Sequence, residues 1–148
     1  MAENNPHVST LSNLMEFCKE AEKAFDEASR DVRSEEHRKV FVGYARRMSE
    51  FATELGEQVV KLGGKLPRPD TAGGEVRRVW IHFRSALNLH HTKPVLIECE
   101  KEEESLLDHF QKTIDSGLPP EIGDVVQKQF VEVIEIRNHL KELEEVLR

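Results

Sequence analysis

Apolar side chains recur at intervals of three and four residues along this chain, and that spacing predicts amphipathic α-helices. A first helix is expected from a cap at Ser9 or Thr10 to about Asp31. A second helix is expected from a cap at Ser34 to a stop at Gly63-Gly64. The connection between these two helices, from Asp31 to Ser34, is short, and it predicts that they form an antiparallel hairpin. The inward positions of the first helix are Leu11, Leu14, Cys18, Ala21, Phe25 and Ala28.

The second half of the chain repeats this pattern in two further long helices. Thr92 can cap a third helix, in whose first turn Pro94 is tolerated. The segment Gly117-Leu118-Pro119-Pro120 ends that helix and opens the fourth. The inward positions of the third helix are Val95, Cys99, Leu106, Phe110 and Ile114, and those of the fourth are Ile122, Val126, Phe130, Val133, Ile136, Leu140 and Leu143.

The connection between the second and third helices is long, and it has its own apolar stripe. Residues near 74–88 are expected to form a short fifth helix, whose apolar face would carry Val76, Trp80 and Phe83. Four long helices with one long crossover are typical of ferritin-like bundles, because up-down-up-down bundles need only short loops. The sequence therefore predicts an all-α, ferritin-like four-helix bundle at 9–148, preceded by a mobile tail at 1–8.

Several short stretches, spread from Leu11 to Leu143, also match a known family. They are Leu14 with the following residues to Cys18, Leu62-Gly63-Gly64, Trp80 with Ser85-Ala86-Leu87, Glu98-Cys99-Glu100 with Glu103, and Leu118-Pro119-Pro120. On these residues the chain resembles the ferritin-like bacterial family of uncharacterised helical-bundle proteins, a domain of unknown function. The resemblance implies a ferritin-like four-helix-bundle fold, but the family has no established activity that it could imply. Where relatives have histidine in the last helix, this chain has Arg137, which argues against a transferred metal site.

The charge and hydrophobicity of the chain limit which partners and which location are expected. A formal net charge of −7 argues against nucleic acid or an anionic membrane surface, both of which need clustered Lys and Arg. No apolar run is long enough to span a membrane, and the first residues lack a basic and apolar signal, so a cytoplasmic location is expected. Cys18 and Cys99 fall on apolar stripes and are expected to be free thiols.

Charged and polar residues inside the predicted core are the candidate site. The third helix carries the acidic run 98–104, and helical periodicity turns Glu103 inward. On the first helix Glu22 falls inside the apolar stripe. The predicted buried polar layer comprises Glu22, Tyr44, Glu103, Gln129 and Arg137.

Three interpretations of these inward carboxylates stay open. They could be hydrogen-bonded to Gln129, Tyr44 and Arg137 in a layer that sets helix register. They could instead hold iron or manganese through Glu22, Glu103 and Glu132, or exchange protons between two acids of raised pKa. A ferritin-like di-iron site also needs Glu-x-x-His motifs, and the chain contains none. The nearest substitute, Glu135 with His139, is expected to face solvent.

The sequence contains no motif for phosphate binding or nucleophilic catalysis. The expected function is therefore a non-catalytic, cofactor-free bundle with an oligomeric interaction or stress-associated role. The expected oligomer is a homodimer formed through the crossover helix, with Val76, Trp80 and Phe83, and through its neighbours. The same apolar face could instead only cover one end of the bundle. The alternative is a metal-binding ferritin-like protein with altered carboxylate ligands.

Overall fold

A computed structural model describes residues 5–32, 34–66 and 92–146, and these residues form four helices and no strand. Their bounds are α1 Pro6–Asp31, α2 Glu35–Lys61, α3 Thr92–Asp115 and α4 Pro120–Val146. The predicted all-α class is confirmed. The short fifth helix, with Val76, Trp80 and Phe83, lies outside the described residues.

The helix ends show which sequence signals act as caps. The side chain of Asn5 accepts a hydrogen bond from the backbone N–H of His7 at 2.9 Å, and α1 begins at Pro6. The predicted start at Ser9 or Thr10 is therefore too late, because Asn followed by proline is itself a strong start signal. Residues 6–8, assigned above to the tail, are helical. The cap at Ser34 is confirmed, since its hydroxyl accepts from the N–H of His37.

Gly63 and Gly117 have positive φ and follow the ends of α2 and α3, where the sequence predicted that these helices stop. Gly63 has φ 84° after α2, and Gly117 has φ 83° after α3. A side chain is strained in this left-handed conformation, so glycine is the residue of choice there.

Contacts between the helices give their directions. Going forward along α2, Tyr44, Arg47 and Phe51 meet residues of α4 in descending order, at His139, Glu132 and Gln129. The helices α2 and α4 are therefore antiparallel. Helix α3 is also antiparallel to α4, because Glu100 lies near Lys141 and Glu104 near Arg137.

It follows that α2 and α3 run in the same direction, so the chain leaves α2 at one end of the bundle and begins α3 at the other. This order agrees with the predicted long crossover. Helix α1 packs against α2 and α3, and α4 packs against the same two helices from the opposite corner.

One apolar core lies along the axis of the bundle. All the predicted inward residues of α1 are buried. The ring of Phe110 on α3 lies 6.5 Å from that of Phe51 on α2 and 6.4 Å from that of Phe130 on α4. These aromatic contacts join three of the four helices at one level. In the part of the chain that the structure describes, no helix is long and apolar enough to cross a membrane.

Candidate functional site around Glu103

Glu103 lies on the buried stripe of α3, one turn after Cys99 and one turn before Leu106. Its side chain is 0% exposed. The helical spacing that buries its apolar neighbours therefore also carries this carboxyl group into the core. The inward position predicted for Glu103 is confirmed.

Both oxygens of the Glu103 carboxyl group are buried, and neither has a hydrogen-bond partner among the residues that the structure describes. Burial raises the pKa of Glu103 well above its ordinary value, and the nearby charge of Glu102 raises it further. An ionised carboxylate without a partner is costly in an apolar core, so the neutral acid is the favoured form. We expect Glu103 to keep its proton at neutral pH.

Two free thiols flank this acid. Cys18 on α1 and Cys99 on α3 are both fully buried, and no disulfide joins them. Burial first, and the neighbouring Glu103 second, raises the pKa of both thiols well above the ordinary value. Since only the thiolate is a nucleophile or a good metal ligand, both cysteines act here as small apolar side chains.

The other polar residues predicted for this layer have partners elsewhere. The side-chain amide of Gln129 donates to the carbonyl oxygen of Phe51 at 3.3 Å, so it ties α4 to the backbone of α2. Arg137 lies 3.7 Å from Glu104 at the surface. The structure thus corrects the predicted hydrogen bonds to Glu103: within the described residues Gln129 bonds to the backbone of α2 and Arg137 pairs with Glu104, and neither bonds to Glu103.

Tyr44 is paired with His139, which the sequence interpretation placed in solvent. The Tyr44 hydroxyl is in hydrogen-bond contact with Nδ1 of His139, and both side chains are half-buried. The expectation that Glu135 and His139 form a surface pair is therefore wrong for His139. The available signal was that His139 lies three residues after the inward Ile136, next to the inward Leu140.

The pKa of Tyr44 follows from its position and is directly measurable, because it is the only tyrosine in the chain. Burial, followed by the nearby carboxyl groups of Glu103 and Glu142, raises its pKa to about 12. We expect the ultraviolet absorbance of tyrosinate to develop with a midpoint near this value in the folded protein. In denaturant the midpoint should return to the ordinary value of a tyrosine. A folded-state midpoint equal to that of the denatured chain would show that Tyr44 is solvated.

Glu132 is held by an arginine that the sequence analysis overlooked. Arg47 on α2 donates from Nε and Nη2 to the two carboxylate oxygens of Glu132 on α4, at 2.6 and 2.5 Å. Arg47 also donates to Glu50 and lies 4.6 Å from the centre of the Phe51 ring. This forked ion pair joins the two helices and uses both oxygens of Glu132.

Glu22 lies away from the core, on a groove between α1 and α2, and is half-buried. Burial, and secondarily the charge of Asp26, raises its pKa. The carboxylates proposed as metal ligands thus occupy three different places: the α1–α2 groove, the core and the α2–α4 ion pair. Across residues 5–32, 34–66 and 92–146, no three His, Cys, Asp or Glu side chains are grouped so that they could hold a metal ion.

Comparison with known proteins gives the family of this chain. A family model described as "Domain of unknown function (DUF2383)" matches residues 7–116, which cover α1 except Pro6, all of α2 and α3, and none of α4. A comparison with curated protein sequences finds no significant match. Because the match covers well over half of the chain, the protein belongs to the DUF2383 family of uncharacterised domains.

Proposed function

We propose that this protein is a non-catalytic, ferritin-like four-helix bundle that acts as a homo-oligomeric interaction protein. The observation that carries the proposal is the enclosure of Glu103. A catalytic acid or base must reach its substrate directly or through one water molecule. Glu103 is fully buried among apolar residues, and no substrate can contact it without opening the bundle.

The ferritin-like part of this proposal rests on helix order. Two antiparallel hairpins pack side by side, with α2 and α3 parallel and a long connection between them. Bundles with one long crossover have this arrangement, whereas α2 and α3 would be antiparallel in an up-down-up-down bundle.

The alternative function is that of a metal-binding protein, and one observation favours it. Among the described residues neither oxygen of Glu103 has a hydrogen-bond partner, which leaves both available to a metal ion. The other candidate metal ligands do not fit this alternative. Glu132 is bound to Arg47, Glu22 lies on the α1–α2 groove, and a di-iron centre needs histidine ligands beside its carboxylates.

Metal content distinguishes the two functions. The untagged protein would be purified from cells supplied with iron, manganese and zinc, and each metal would be measured per chain. We expect no stoichiometric metal and no effect of chelator on the melting temperature, because no complete ligand set is assembled. Iron or manganese in a fixed ratio, lost in Glu103→Gln and retained in the surface control Glu135→Gln, would contradict the proposal and support the alternative.

The proposed oligomer is a homodimer, and the proposed location is the cytoplasm. Two buried free thiols suit a reducing compartment. The net charge of −7 disfavours nucleic acid as a partner, so we propose a protein surface instead.

A further inference from the structure

A tyrosine and a histidine meet where α2 packs against α4. The Tyr44 hydroxyl is in hydrogen-bond contact with Nδ1 of His139, and the two rings are nearly perpendicular, with an interplanar angle of 86°. Since burial above all raises the pKa of Tyr44 to about 12, the hydroxyl keeps its proton at neutral pH and donates it in this contact. The imidazole therefore accepts on Nδ1 and, when neutral, holds its own proton on Nε2.

This contact places a base on the one proton that a phenol loses when it is oxidised. Removal of an electron turns the phenol hydroxyl into a strong acid, so the electron leaves far more easily when an acceptor takes the proton in the same step. Imidazole is the side chain best suited to accept a proton near neutral pH. His139 is already in contact with the Tyr44 hydroxyl, so no movement of the helices has to precede the transfer.

The charged side chains beside the pair favour an imidazolium at His139. Carboxylates outnumber cations among them on α2 and α4, and they are Lys39, Arg47, Glu132, Glu135 and Glu142. From α3, Glu103 faces Tyr44 as a neutral acid, and from α1 the facing side chain is the ring of Phe25. An excess of negative charge stabilises a cation that forms nearby, so the surroundings of His139 assist its protonation.

A groove of about 450 Å³ between α2 and α4 gives small solutes access to the pair, which forms part of its lining. Gly43, the residue before Tyr44, also lines it, and a Cβ atom at this position would meet no atom of the described residues within 4 Å. Packing therefore does not require a glycine in the middle of α2, where glycine weakens a helix. The absent side chain instead keeps the groove open beside the phenol.

The cysteines are poor competitors for an oxidant that enters this groove. Thiols are oxidised chiefly as thiolates, and both Cys18 and Cys99 are fully buried with a raised pKa. Tyr44 is the only tyrosine in the chain, and it is half-buried. Its position lets a small molecule approach, while it hinders the coupling of two phenols from different copies of the protein.

We propose that Tyr44 and His139 form a one-electron redox site that reduces small organic peroxyl radicals. The Tyr44 ring gives one electron to the peroxyl radical, while the O–H bond of Tyr44 breaks and its proton forms an N–H bond at Nδ1 of His139. The radical becomes a peroxide anion, which takes a proton from water. A small enediol reductant such as ascorbate then returns one electron to the tyrosyl radical, and His139 returns the proton. This activity goes beyond the proposed interaction function, whose non-catalytic part rests on Glu103 alone.

Pulse radiolysis of the full chain tests this proposal, with the trichloromethylperoxyl radical as the oxidant and the absorbance of the tyrosyl radical as the signal. Trp80→Phe in every sample removes the overlapping indole radical. In His139→Gln the side-chain amide still accepts a hydrogen bond from Tyr44 but cannot take its proton. We expect the rate constant of tyrosyl formation to fall about tenfold or more in this variant. The control His109→Gln, which changes a histidine stacked on Phe17, should leave the rate constant unchanged.

A solvent isotope effect gives a second readout that does not depend on the folding of a variant. Because a proton moves together with the electron, tyrosyl formation at Tyr44 should be slower in heavy water, and added ascorbate should remove the radical. Equal rate constants with histidine and with glutamine at position 139, or equal rate constants in light and heavy water, would overturn the redox site. A tyrosyl radical that ascorbate does not consume would overturn the return step.

Discussion

Glu103→Gln is expected to fold like the wild type and to become progressively more stable than the wild type as the pH rises. The pKa of Glu103 is raised in the folded protein by burial, while in the unfolded chain it is ordinary. Below both pKa values each state holds the proton, so Glu103 does not make stability depend on pH. Between the two values only the folded state holds it, and the free energy of unfolding falls by about 1.4 kcal/mol per pH unit.

Glu103→Gln has no carboxyl group that titrates at this position, so its free energy of unfolding should not show this decrease. The measurement is urea unfolding of both proteins at several pH values between 4 and 8, with Glu135→Gln as the control for loss of an exposed carboxyl group. Glu103→Leu should go further and stabilise the protein by about 1–3 kcal/mol at neutral pH, because it also removes a buried polar group that has no hydrogen-bond partner among the described residues. Parallel pH profiles for wild type and Glu103→Gln would show that the carboxyl group is solvated or paired.

Phe110→Ala should cost about 3–5 kcal/mol of unfolding free energy, the largest loss that we predict. Its ring is fully buried and lies between Phe51 and Phe130, so its removal leaves a cavity bounded by three helices. Phe130→Ala is the matched control, since the same ring is removed from a half-buried position and should cost less. Equal losses for the two variants, again measured by urea unfolding, would contradict the position of Phe110 at the centre of the core.

The helices were predictable because their signals are local. Gly63 and Gly117 end helices through their own backbone freedom, and the three- and four-residue spacing of Leu11, Leu14 and Cys18 identifies a buried face without knowledge of its partner. The start of α1 was misplaced because Asn5, Ser9 and Thr10 can all act as caps. Only the tertiary packing of Val8 against Gly64 shows that the first turn belongs to the bundle.

The candidate site was predictable only in part, because the side chains that contact one another there belong to different helices. Periodicity alone places Glu103 inside. It cannot show that Arg47 reaches Glu132 across 85 positions in sequence, or that Tyr44 meets His139 across 95. These contacts depend on the relative rotation and height of α2 and α4, which no pattern within a single helix specifies.

We propose that Glu103 is a neutral acid enclosed in the core of the bundle and that it holds no metal ion. The most direct test is a ¹³C NMR titration of the glutamate side-chain carboxyl carbons, with the Glu103 signal assigned by its absence in Glu103→Gln. We expect that signal to keep the chemical shift of a protonated acid through neutral pH, and to be unchanged by chelator or by added iron or manganese. An ionised Glu103 at neutral pH whose signal responds to chelator would contradict the claim and identify Glu103 as a metal ligand.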